Sequence, residues 1–144
     1  MRTRFINPKH KAASVAMLVM GAAMVVLYPK NLLTGQAGWI WDYPSRHVAF
    51  EHMLIAVYVT LGAFLVWGAR DPMRALPLID FTIVSGIFHA TVMWLDALQL
   101  PGMHDHLGWR GDVVGTYLAP VVLLAFHPRW RSVLADPVQP GAPT

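Results

Sequence analysis

Four long apolar runs, separated by short stretches of charge and proline, limit what this chain can fold into. They extend from about Ala12 to Tyr28, from about His47 to Ala69, from just after Pro77 to about Leu100, and from about Leu107 to Phe126. A helix rises about 1.5 Å per residue, so roughly 20 mostly apolar residues cross the hydrocarbon core of a bilayer. Each run reaches or approaches that length. Of the 144 residues, 56% are hydrophobic and only 13% charged, against about a quarter charged in ordinary soluble domains. Mean hydropathy is +0.45. These features predict an all-α fold, a four-transmembrane-helix bundle. It forms one membrane domain over residues 1–135, and the proline-rich tail 136–144 is predicted to be disordered.

Local punctuation supports this division. Pro8 suits the start of the first helix and Pro77 the first turn of the third. Asp71-Pro72 ends the second, because a residue preceding proline avoids helical geometry. Pro128 closes the fourth, and Trp109 and Trp130 bracket it as interfacial anchors. Tyr28-Pro29-Lys30 after the first run is unlike a small-residue cleavage site, so that run reads as a retained helix. The chain has no cysteine, which excludes disulfides, thiolate metal sites and cysteine nucleophiles.

Lysine and arginine distribution sets the orientation. With the N-terminus inside, Arg2, Arg4, Lys9, Lys11, Arg70, Arg74, Arg129 and Arg131 are cytoplasmic; Lys30, Arg46 and Arg110 are outside. The expectation is a multi-pass protein of the bacterial cytoplasmic (inner) membrane with both termini cytoplasmic. Its partners are the lipid bilayer and another membrane protein or a second copy of itself. The same asymmetry explains the high pI without a nucleic-acid partner.

This topology collects acids and imidazoles in the outer half. Asp42 and His47 precede the second helix; Glu51, His52, Asp96, His104, Asp105, His106 and Asp112 follow. Ionisable groups within apolar helices usually face an interior or a cavity. His89 and Asp96, seven residues apart, share a helix face with Ser85 and Met93. On the second helix Glu51, Tyr58, Gly62 and Leu65 form one stripe. On the fourth, Asp112, Thr116 and Ala119 align, and Gly111 and Gly115 form a small-residue patch for close packing. Asp80 belongs to the first turn of the third helix, near Arg74. The reading is an outward-facing polar pocket for a ligand or proton, built from Glu51, Tyr58, His89, Asp96 and Asp112. The inner half offers little to continue it, chiefly Thr60, Thr82 and Ser85, and Phe64, Leu65 and Val66 are expected to face Phe81, Ile83 and Val84. A binding site therefore fits better than a pore.

The leading functional reading is a non-enzymatic accessory or small-ligand-binding subunit. The alternative is a metal-binding or redox membrane enzyme subunit. His104, His106 and His52 are its candidate ligands, since imidazole suits copper or zinc and the neighbouring Met103 thioether favours Cu(I). A solvated polar loop explains the same residues. Haem is disfavoured, because His52 and His89 lie at unmatched depths. Met17, Met20 and Met24 read as apolar packing rather than a copper path.

The run Glu51-His52-Met53 with Tyr58, Leu61-Gly62 and Phe64-Leu65, then Asp71-Pro72, then Leu78-Ile79, Phe81, Ser85, His89 and Met93 resembles a family of small four-helix bacterial membrane proteins of unknown function. The resemblance covers about residues 44–126. It implies the four-helix division and a bacterial inner membrane, and it carries no activity or catalytic residue. Trp39 to Pro44 and Met103–His106 fall outside the matching pattern. DoxX-like four-span, redox-associated proteins are a more distant likeness, in size and topology alone.

Overall fold

The computed structural model describes residues 9–34, 48–101, 104–107 and 112–129, with side-chain surroundings for all of these except 30–34, 48–51, 105 and 112. Among them are four α-helices and no strand: α1 Lys11–Thr34, α2 Val48–Gly68, α3 Leu76–Gln99 and α4 Asp112–Ala125, with a 3₁₀ turn at His104–Leu107. The tail 136–144, the loop holding Asp42 and His47, and Met103, Trp109, Gly111 and Trp130 lie outside the described residues.

Helix ends follow local chemistry, with two departures from the sequence reading, at the end of the first helix and the start of the fourth. α1 does not stop at Tyr28 but continues through Pro29; a proline costs one backbone hydrogen bond without forbidding a helix that neighbours support. α2 ends at Gly68, before Asp71-Pro72. The Asp71 carboxylate then organises the turn, 3.2 Å from the Arg74 guanidinium, and the Asp71 carbonyl accepts the Ala75 N–H. Pro77 stands in the first turn of α3 as expected. α4 begins at Asp112, and Pro120 lies within it.

Packing is antiparallel throughout. Gly21 on α1 meets Gly62 on α2, and Met17 meets Gly68; these pairs climb one helix as they descend the other. Gly86 on α3 meets Pro120 on α4. A Cβ on Gly21 would stand 2.5 Å from the Gly62 carbonyl oxygen, so only glycine permits this crossing. The expected close-packing patch at Gly115 is not observed: a Cβ there meets nothing within 4 Å. Close approach occurs instead at Gly21–Gly62 and Gly86–Pro120.

The apolar core lies towards one end. Ala16, Met17, Leu65, Ala69, Ala75, Ile79, Ile83 and Leu123 form it, with Met20 and Met24 packed against it. The methionine stripe is therefore packing. Lys9, Lys11, Arg70, Arg74 and Arg129 belong to the same end, because they sit where α1 and α3 begin and where α2 and α4 finish. Phe64, Phe81 and Val84 do not face one another. Each is more than half exposed, while Leu65 and Ile83 turn into the core and Val66 packs against Gly21 of α1. Successive residues on a helix are about 100° apart, so a run of three spreads over inward and outward faces.

Candidate functional site

Three helices bring aromatic rings together at mid-bundle. Tyr28 on α1 stacks on Tyr58 of α2, with ring centroids 4.9 Å apart and planes 21° apart. Tyr58 in turn meets the edge of the His89 ring on α3, at 5.6 Å and 67°. Offset-stacked and edge-on contacts are the favoured arrangements of such rings. The Tyr58 stripe foreseen on the second helix is the face that meets α1. Tyr58 is half-buried, Gly62 is buried and Leu65 is fully buried. Tyr28 was not among the candidates, because its Pro29 neighbour read as the end of the helix.

A second polar contact joins α3 to α4. The Thr91 hydroxyl lies 2.8 Å from the Tyr117 hydroxyl and also 2.8 Å from the Ile87 carbonyl oxygen, to which it donates. Its single proton is thereby used, so Tyr117 donates to Thr91. Thr60 and Thr82 likewise donate to the carbonyls of Ala56 and Leu78, one turn back. These hydroxyls are satisfied within their own helices and do not continue a polar path.

His89 and Asp96 are both half-buried on the face that also carries Ser85 and Met93. Seven residues separate them, about 10 Å along the helix. The side chains of Glu51, Asp105 and Asp112 lie outside the described residues, so of the expected pocket the structure brings together only Tyr58 and His89. His52 and His104 are exposed and His106 is half-buried. Among the described residues no group of three His, Asp or Glu side chains is placed to hold a metal ion.

The sequence reading missed the polar contact at the basic end. His127 is 3% exposed, and its Nε2 lies 2.9 Å from Asp80 Oδ1. The Arg129 N–H points at its Nδ1 over 3.3 Å. An acceptor role for Nδ1 fixes the proton on Nε2, which donates to the carboxylate. This corrects two expectations about Asp80. It is the fifth residue of α3 and not in its first turn, and its described partner is His127, while Arg74 pairs with Asp71. The register offered a signal: Gly86 opposite Pro120 places residue 80 opposite residue 127.

Residues 7–137 match the model of a protein family described as a family of unknown function, DUF6632. No curated protein and no solved structure shows significant similarity to the chain. The match extends well beyond the 44–126 stretch on which the resemblance rested. It lends no support to a relation with DoxX-like proteins.

Proposed function

Since the chain belongs to the DUF6632 family of unknown function, we propose its role from its geometry: a multi-pass inner-membrane protein, not an enzyme, that binds a small cation or polar ligand between its helices. One observation carries the membrane reading. α1 over Lys11–Pro29 and α3 over Leu76–Gln99 are long and apolar enough to cross a membrane, yet only 22% and 28% of those stretches are buried within the chain. A core helix of a soluble protein is mostly buried. Here the outward faces are apolar on all four helices. Val26, Met53, Phe88 and Leu118, one from each, are 64%, 67%, 69% and 61% exposed. Water would penalise such a surface, and lipid would not.

By length α2 and α4 are shorter apolar helices, His52–Gly68 and Val113–Ala125. Packing supports their insertion nonetheless. α4 follows α3 from Asp80–His127 through Gly86–Pro120 to Thr91–Tyr117. α2 follows α1 from Met17–Gly68 through Gly21–Gly62 to Tyr28–Tyr58. If α1 and α3 cross, their partners lie beside them in the hydrocarbon. The five described cations at one end then face the cytoplasm. The ligand site is the Tyr58–His89 contact with Asp96 along the same face, and Glu51 and Asp112, near the starts of α2 and α4, are its further candidates. It opens away from the basic end.

The test has two arms. The protein should stay in membranes through an alkaline carbonate wash, with a reporter after Thr144 cytoplasmic and a tag within Gly35–Gly38 external. Extraction by carbonate, or an external C-terminal reporter, would reject the membrane assignment. Purified in mild detergent, the chain should bind a mono- or divalent cation or a small polar amine or acid, and His89→Ala and Glu51→Gln should weaken that binding. Equal binding by wild type and both variants would reject the site.

A further inference from the structure

We propose that a cleft at the basic end, between the start of α1 and the end of α4, holds the phosphate headgroup of an anionic lipid. The cleft has a volume of about 210 Å³ and is lined by Lys9, His10, Lys11, Ala12, Ala13, Phe126 and Pro128. That is several times the roughly 30 Å³ a water molecule occupies.

Lys9 and Lys11 stand exposed at the rim, with the His10 imidazole half-buried between them. Beneath them Ala13 is 4% exposed and Pro128 is fully buried, so the cleft's open surface is mostly polar. Among the described lining residues there is no carboxylate. A cationic rim at this place matches a phosphodiester anion.

Position argues the same way. The membrane-crossing stretch of α1 begins at Lys11, so the rim lies where hydrocarbon gives way to headgroups. The inference rests on the membrane reading above, including its cytoplasmic assignment of the basic end. That leaflet surface is the one where anionic lipids attract basic segments. The His127–Asp80 contact ties α4 to α3 immediately behind the cleft and keeps Phe126 and Pro128 in place.

The full chain in a non-ionic detergent would be titrated with dihexanoyl phosphatidylglycerol, dihexanoyl phosphatidylcholine and inorganic phosphate, each followed by calorimetry. Phosphatidylglycerol should bind most tightly. K9Q/K11Q should weaken it about 25-fold, taking roughly fivefold per lysine at a membrane-facing cation. K9R/K11R should retain it. R70Q/R74Q, which removes the same charge elsewhere at this end, should bind as wild type does. Carbonate washing of the same variants reads membrane insertion separately, so loss of the lipid preference and loss of insertion are distinct results. Equal binding of the two lipids, equal weakening by R70Q/R74Q, or inorganic phosphate binding as tightly as the lipid would each overturn the proposal.

Discussion

Gly21→Ala should loosen the α1–α2 pair more than any other single-methyl addition at a described glycine. The added Cβ would stand 2.5 Å from the Gly62 carbonyl oxygen and 2.9 Å from both the backbone nitrogen and the Cγ2 of Val66. Two of these three neighbours are backbone, which cannot rotate aside. Ordinary contact begins near 3.4 Å, so the helices must part by roughly 0.9 Å at their crossing. In lipid, helix association relies on close van der Waals packing because tails and side chains are equally apolar. A gap of about 0.5–1 Å forfeits a quarter to a half of each contact's attraction.

Overpacking of this kind costs about 1–3 kcal/mol. The gain in helix propensity from glycine to alanine returns at most about 1 kcal/mol. Because the clash is with backbone, the upper end of that range applies, and the expected net loss is about 2 kcal/mol. It would be read as an earlier midpoint when the purified protein is unfolded by increasing SDS in mixed micelles, followed by far-ultraviolet circular dichroism. Gly115→Ala is the control, because open space surrounds that position; it should unfold at or slightly above the wild-type midpoint. A wild-type midpoint for Gly21→Ala, or an equal loss for Gly115→Ala, would refute the reasoning.

Three further outcomes are expected. Asp80→Ala leaves the buried His127 Nε2–H without its acceptor and should cost about 1–3 kcal/mol, while Asp80→Asn, whose amide oxygen still accepts, should cost less in the same SDS titration. A double-mutant cycle of Thr91→Val with Tyr117→Phe should give a coupling near 0.6 kcal/mol, the usual scale for interhelical hydrogen bonds in membranes, and zero coupling would show that the 2.8 Å contact contributes nothing. Gly86→Ala should cost less than Gly21→Ala, since its nearest neighbour is a Pro120 side-chain atom at 3.2 Å.

Helix number and type were legible because the apolar runs are long and sharply bounded. The faces of α2 and α3 were legible too: helical periodicity alone grouped Tyr58 with Gly62 and Leu65, and His89 with Asp96. What periodicity could not supply is which helices touch, and at what height. Tyr28 and His127 were overlooked for that reason. Each stands near a proline that reads as a boundary, and each becomes a site residue only once its helix is set against a neighbour. The same gap misplaced the close crossing at Gly115, where a small residue meets open space. Gly21 and Gly62 look no different in sequence, yet their carbonyls decide how near α1 and α2 approach.

The contacts grade along the bundle in a way that bears on where binding can occur. At the basic end eight buried apolar residues from the four helices and the turn between α2 and α3 interlock, and the His127–Asp80 contact adds a polar tie between α3 and the end of α4. Towards mid-bundle the connections become fewer and more specific: the Tyr28–Tyr58–His89 rings and the Thr91–Tyr117 hydroxyls. Buried apolar positions continue beyond this cluster, at Ile55 on α2, Ala90 and Ala97 on α3 and Val113 on α4, but they stand outside the interlocked group. Opening free energies within one protein follow such differences in buried contact, and binding regions are drawn from the less stable part. Under the proposed function, the rings are where a ligand would bind, beyond the interlocked core. A substitution in the core at the basic end should therefore alter stability without altering ligand preference, whereas one at Tyr58 or His89 should do the reverse.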